Sequence, residues 1–411
     1  MPEFLKLVSI EEARQVLFNH LISPCVKEEE IETLHARGRI LSRDIFADED
    51  LPAFTRSAMD GFAVRASDTN GASDTLPAYL TLAGEVEMGK APEFTLEKGH
   101  AAVIHTGGML PDGADAVVIM ENTQMIDSCQ VEIHKPVASG DNLILKGEDV
   151  RAGELVMRSG TLVRPEEIGG LLALGKTKIF VFAKPVVHIF SSGDELVDAG
   201  NKLQPGQVRD INSPILAAFV ESCGAIPVLH PIVPDDARVL EDALRQIFSD
   251  ADLMIITAGS SASTRDMTAE VISHLGTPGV LVHGINIRPG KPTIVAVCDG
   301  KPIIGLPGNP VSALIIARQL VKPLLEKLNG RQDLSINQVV EARLSLNLAS
   351  VAGRDDYLPA VLEKSDQGFK VTPIFFKSNL ILSLSRANGL IHIPADVTGY
   401  SAGDTVEVFL L

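Results

Sequence analysis

Apolar residues follow two rhythms in the first half of the chain, and each predicts its own kind of element. Ala13, Val16, Leu17 and Leu21 recur at helical spacing behind Ser9 and Glu12, which form a capping box, and residues 28–36 read as a second short helix ending near Gly38. Pro52 breaks that period, and Asp60-Gly61 ahead of an apolar run reads as a hairpin turn. Over residues 76–137 the pattern alternates, with short apolar runs at 80–84, 101–104 and 116–120 and a turn at Pro111-Asp112-Gly113, which predicts a small all-β module. Residues 142–164 are mixed, and Pro165-Glu166-Glu167 then opens a helix that runs to Leu174 and stops at Gly175.

From Pro185 the texture changes to β/α alternation. Strands are expected at 186–190, 226–233, 253–257, 279–287, 293–298 and 303–305, with helices from 212 or 213 to 223, over 237–248, from 263 to 275 and from Pro310 to about 328. Asp299-Gly300 reads as a hairpin turn between two of those strands. Right-handed crossovers gather the strands into one mostly parallel sheet and leave the small-residue loops at its carboxyl edge, where such sheets bind ligands. Beyond Gly330 the runs at 339–346, 357–362, 369–373, 390–393 and 405–411 predict a terminal β-barrel-like domain. The fold class is therefore multidomain α/β. It comprises a helical or mixed start, a small all-β module, a central Rossmann-like domain and a barrel-like end.

Composition narrows the partners. The 411 residues are 45% hydrophobic, ample for several cores, and 36 Lys plus Arg against 53 Asp plus Glu give a net charge of −17. With no Trp and three Tyr, little is offered for bases to stack on, so nucleic acid is not expected as a partner. Cys25, Cys129, Cys223 and Cys298 form no C-x-x-C pair, which indicates neither a zinc site nor a disulfide framework. The opening residues have no signal-peptide pattern and no apolar run reaches about 18 residues, so a cytoplasmic protein without a membrane span is expected.

The most suggestive stretch is 252–275. Its loop, Ala258-Gly259-Ser260-Ser261-Ala262-Ser263, carries no bulky side chain, so its N–H groups and hydroxyls could close around an anion. Ser263 and Asp266 also form a capping box, and that role alone would account for both. Thr106-Gly107-Gly108 is a hydroxyl beside flexible backbone that fits either a ligand contact or a plain loop, and Glu148 and Asp149 read as solvated charges.

Taken together, Ser57-Ala58-Met59-Asp60-Gly61-Phe62-Ala63-Val64, Gly147-Glu148-Asp149, Ser192-Gly193-Asp194-Glu195-Leu196, Pro289-Gly290-Lys291-Pro292 and Gly305-Leu306-Pro307-Gly308-Asn309-Pro310-Val311-Ser312 resemble the successive blocks of the molybdopterin molybdenumtransferase family, which includes the C-terminal domain of gephyrin. The likeness runs in order over nearly the whole chain. It implies insertion of molybdate into the dithiolene of adenylylated molybdopterin, with release of AMP and a requirement for Mg2+. It also implies domains at 1–51 with 143–182 (dimerisation), 52–142, 183–330 (molybdopterin-binding) and 331–411, assembled as a homodimer whose active site is shared between chains.

Carried over position by position, the resemblance gives Asp60, Asp149, Glu195, Asp235 and Asp266 as catalytic acids. Glu195 and Asp266 would hold the metal or orient the hydrolytic water, and Asp60 and Asp149 would position substrate. Ser57, Thr106, Gly193, Gly259, Ser260, Ser261, Ser263, Arg288, Lys291, Pro307, Asn309 and Pro310 would bind substrate. Two departures stand out: hydroxyls replace a Gly-rich turn at 258–265, and Arg288 stands where Lys is common. Both alter the anion pocket and leave tungstate as an alternative to molybdate. A noncatalytic molybdopterin carrier is a further alternative.

Overall fold

The structure, a computed structural model, describes residues 7–21, 27–258, 262–332, 339–366 and 368–411, with backbone alone at 262–265. The opening helix Ile10–His20 carries the expected box, in which the Ser9 hydroxyl accepts from the Glu12 N–H at 3.0 Å and the Glu12 carboxylate accepts from the Ser9 N–H at 2.9 Å. Its buried stripe of Ile10, Ala13 and Leu17 packs into the core of the β/α sheet.

The helix expected over 28–36 is instead the strand Glu28–Glu32, antiparallel to Lys178–Phe182, followed by a single 3-10 turn, Thr33–His35. Helical winding would have set Glu28 against Glu32 four residues on, a like-charge pair. In the strand three of the four glutamates find a cation instead: Glu28 pairs with Arg43, Glu29 with Arg39 and Glu32 with Lys178.

The all-β module is a six-stranded sheet ordered Ala116–Ile119, Gly61–Val64, His100–Ile104, Ala78–Glu85, Gln130–Ile133, Thr123–Met125. Asp60-Gly61 is not the hairpin turn expected, because Arg56–Ser57 pairs with Leu143–Ile144 while Gly61–Val64 lies between two other strands. The glycine serves that close pairing: a Cβ at Gly61 would stand 2.0 Å from the Val118 carbonyl oxygen.

The central sheet is ordered Ile226–Leu229, Val186–Ser191, Leu253–Ala258, Lys301–Pro307, Ile294–Cys298, Pro278–His283. Its first three joins are parallel and its last two antiparallel. Leu253–Ala258 is buried throughout, as a strand covered on both faces requires. The Asp299-Gly300 turn is a true hairpin, with both residues at positive φ, 48° and 84°. The strand expected at 279–287 is divided: Pro278–His283 stays in this sheet, whereas Ile287–Arg288 crosses to pair with Asp355–Ser365. The strand expected at 226–233 stops at Leu229.

The helix from Pro310 runs as Pro310–Ile316, a π segment Ala317–Val321, and Lys322–Leu328. Five strands close the terminal barrel, Val339–Leu344, Asp355–Ser365, Gly368–Pro373, Gly389–Ile393 and Thr405–Leu410, because Asp355–Ser365 pairs at both ends of the ring. A short helix, Ile381–Ser385, lies between them. No helix among the described residues is long and apolar enough to cross a membrane.

Candidate active site

The carboxyl edge of the parallel strands is built as a rigid floor. The Ser191 hydroxyl is 2.8 Å from that of Thr257 and 2.7 Å from that of Ser213, so two strands and the helix Asn212–Ser222 are tied by buried oxygens. Just beyond it the Ser192 N–H donates to the Thr257 carbonyl at 2.8 Å, and the Gly193 N–H to the Val233 carbonyl at 3.1 Å. This fixes the loop that carries the acids. The Ser192 hydroxyl donates to the Asp235 carboxylate at 2.7 Å, and the Asp194 carboxylate accepts from the Asp235 N–H at 3.2 Å. Glu195 is exposed and folds over its own loop, since a Cβ at Gly193 would lie 2.8 Å from its Oε2.

Asp266 is exposed on the helix Ala262–Ser273. That helix begins at Ala262, so the backbone of Ser263 lies inside its first turn and not ahead of it, as the expected capping box required. Gly259, Ser260 and Ser261, together with the side chain of Ser263, lie outside the described residues, so the anion-cradle reading of that loop stays an expectation. Among the described residues, no three His, Cys, Asp or Glu side chains converge as a ready metal cage.

A second group of expected residues gathers where the sheet meets the barrel. Arg288, Lys291, Pro307 and Asn309 line one cavity of about 740 Å³. Joining them are residues that sequence reasoning missed, Arg354, Asp356, Lys377 and Ser378. Pro310 sits at the first turn of the adjoining helix, where its missing N–H costs nothing. The Asn309 amide donates to the Ser378 hydroxyl at 3.0 Å, and the Val311 N–H to the Ser378 carbonyl at 3.2 Å, which locks the sheet loop to the barrel loop. From the other side, the Asn212 amide donates to the Gly308 carbonyl at 2.8 Å.

Charge in this cavity is strongly biased. Asp356, 1% exposed, holds Arg354 at 2.9 Å and Arg288 at 3.4 Å and also accepts from Ser350 at 2.9 Å. Lys291 and Lys377 face the same space with no carboxylate in ion-pair range among the described residues. One acid against four cations makes an anion receptor, although the whole chain is acidic.

The third group lies in the β module. Both the N–H and the hydroxyl of Thr106 donate to Asp60, at 2.7 and 3.0 Å, and His105 stands 3.9 Å away. The Thr106 N–H first, then its hydroxyl and the His105 charge, hold the Asp60 carboxyl below the usual range, so it is anionic at neutral pH. Ser57 is buried, and its hydroxyl donates to the Met59 carbonyl at 2.5 Å, which spends it on the loop. Asp149 is exposed in a neighbouring turn held by its own N–H to the Leu51 carbonyl at 3.0 Å.

Comparison with known proteins matches residues 8–175 to the MoeA N-terminal region (domain I and II), 188–327 to a molybdopterin binding domain, and 341–411 to the MoeA C-terminal region (domain IV). The molybdopterin molybdenumtransferase 2 of Mycobacterium tuberculosis is 35% identical, over 91% of this chain and 93% of that protein. The molybdopterin molybdenumtransferase of Staphylococcus epidermidis is 32% identical, over 98% of this chain and 95% of that one. Among solved structures, the MoeA molybdopterin biosynthesis protein of Pyrococcus horikoshii superposes with a TM-score of 0.85 at 31% identity, covering 99% of this chain and 100% of that one.

Proposed function

The chain belongs to the molybdopterin molybdenumtransferase family and acts in molybdenum cofactor biosynthesis by molybdenum insertion, and from that premise we propose that molybdate enters the cavity between Arg288 and Ser378 to meet adenylylated molybdopterin. The observation that carries this reading is the cavity's excess of cations. A tetrahedral dianion needs several donors at once, and each charge-assisted bond from Lys291, Arg288 or Lys377 contributes about 1.5–3 kcal/mol. Pro307 and Pro310 bracket the loop and keep it stiff, so the donors are in place before substrate arrives.

The pterin and its pyrophosphate extend along the carboxyl edge, over Gly193 and toward Glu195 and Asp266. Mg2+ suits these residues: it is a hard ion commonly bound by one or two carboxylates with substrate phosphates completing its shell, so no ready cage is required. Bound there, it would neutralise charge on the phosphate oxygens as AMP leaves. Asp235 is held by the Ser192 hydroxyl, which aims the loop while Glu195 and Asp266 remain exposed to receive the ion or orient the hydrolytic water. Asp60 and Asp149 position the pterin from a second chain.

The direct test follows AMP release from adenylylated molybdopterin as molybdate or tungstate is added. Lys291→Gln and Lys377→Gln should raise the KM for the oxoanion about tenfold or more each, from the bonding energy lost, and leave the melting temperature unchanged. An unaltered KM in both variants would move the oxoanion elsewhere, and AMP release with tungstate alone would replace molybdate as substrate.

A further inference from the structure

Away from these acids and that cavity, the molecule holds a second cation-lined space. It measures about 540 Å³ and lies between the segment 37–40 of the N-terminal region and the helices Asn212–Ser222 and Lys322–Leu328 of the β/α domain. Arg37, Lys184, Arg318 and Lys322 all line it, and none has a carboxylate within ion-pair range among the described residues. Arg39 and Arg331 line it too, each paired to a glutamate, and Glu221 and Glu326 are the acids of the lining, so cations outnumber acids around one concavity and repel each other. Arg318 is the most telling of them. Among the described residues its Nε is buried without a hydrogen-bond partner, and its guanidinium stands 5.9 Å from the Phe219 ring and meets no anion. Burial also depresses its basicity, the mark of a cation taken out of water without a counterion.

The backbone acceptors nearby are already engaged. The Phe219, Val220 and Glu221 carbonyls at the end of the helix Asn212–Ser222 accept from the N–H groups of Cys223, Ala225 and Gly224, and the Cys223 carbonyl accepts from the Asn329 amide at 3.2 Å. Glu326, the buried acid on the wall, pairs with Arg331 at 3.4 Å. Arg318 and Lys322 stand four residues apart and so share a helix face, while Arg37 and Lys184 approach from the other side.

We propose that this space is a second anion site, for a small molecule bearing a phosphate or pyrophosphate group, distinct from the molybdate cavity. The volume suits a small metabolite, and guanidinium forks and ammonium groups suit phosphate oxygens. A ligand there bridges the N-terminal region to the β/α domain and stiffens the seam between them.

Inorganic pyrophosphate is the probe, titrated calorimetrically into the full chain and into Lys291→Gln, which cripples the first cavity. The site predicts that Lys291→Gln still binds one equivalent per chain, and that adding Arg37→Gln with Lys184→Gln weakens this binding about tenfold or more. Both of those side chains are exposed, so folding is not at stake. Arg318→Gln in the same background should abolish binding. AMP release by the Arg37→Gln, Lys184→Gln pair in the otherwise parental chain should stay at the parent level. If Lys291→Gln binds no pyrophosphate, or binds it equally well with and without Arg37 and Lys184, there is no second site.

Discussion

At the scale of residues, the candidate site shows what consecutive blocks reveal and what they hide. Ser192-Gly193-Asp194-Glu195 and Arg288-Pro289-Gly290-Lys291 are legible because each packs small residues and charge into one short run. Arg354, Asp356, Lys377 and Ser378 are not, since they are scattered over a barrel strand and a loop and meet Lys291 only through tertiary packing. The one local signal was the basic-hydroxyl pair Lys377-Ser378 directly after Phe375-Phe376, an aperiodic stretch between a strand and a helix. Gly193 is a sharper test of the site than the acids it serves. A methyl group there would press on the Glu195 carboxylate at 2.8 Å and on Leu196 at 3.0 Å. Gly193→Ala should therefore displace Glu195 and lower AMP release on the order of 100-fold, as a misplacement of about 1 Å can, with little change in melting temperature. Normal turnover by that variant would show that Glu195 need not hold its place. Glu195→Gln and Asp266→Asn, which keep shape and remove charge, should each abolish AMP release in a folded protein if these carboxylates hold the cation. Were Asp266→Asn to melt early and keep its activity per folded molecule, its role in its helix would be structural.

Elements were legible where period and punctuation agree, as in the capped first helix, the β/α alternation and the Asp299-Gly300 hairpin. They were misread where partners distant in sequence decide. Glu28–Glu32 becomes a strand because Lys178–Phe182 offers an edge and Arg39, Arg43 and Lys178 offer charge. The outer edge of the central sheet carries a test of its own. His188 Nδ1 lies 2.8 Å from His230 Nε2, within hydrogen-bond range, with the ring centroids 5.0 Å apart and Phe190 stacked on His230 at 4.1 Å. Burial first lowers the basicity of both; Asp250 and Asp252 oppose this for His188 and Lys301 reinforces it, while His230 is lowered further by the His188 charge. A histidine less basic folded than unfolded binds its proton more readily in the unfolded chain. The pair's contribution is therefore complete above pH of about 6.5, the ordinary histidine value, and is lost as pH falls below it. Each proton can tilt stability by at most about 1.4 kcal/mol per pH unit, less for the solvent that still reaches the rings. Denaturant melts at pH 7 and pH 5.5 should show His230→Gln losing less stability on acidification than the parent, and equal losses would dissolve the linkage.

For the whole molecule, the order of segments along the chain was legible, and the way they meet was not. Within one chain the cation-rich cavity is lined by Leu7, by residues of 286–312 and by residues of 354–378, whereas Asp60 makes its contacts with Thr106 and His105 inside the β module. Asp60 is held anionic and exposed, and both Thr106 bonds go to one of its two carboxylate oxygens. A homodimer that lays the β module of one chain against the β/α edge of the other would bring Asp60 and Asp266 into one site from two chains. In a twofold dimer of this kind, a chain carrying only Asp60→Asn paired with one carrying only Asp266→Asn makes one doubly damaged site and one intact site. Each variant alone should be inactive. With free exchange, roughly half the dimers are mixed and each has one good site of two, so AMP release should return to about a quarter of the parent level. If both residues served the same chain's site, every site in the mixture would carry a lesion and no activity could return. Mass spectrometry of differently tagged chains establishes that exchange has occurred, and a silent mixture of exchanged dimers would then exclude a site shared in this way.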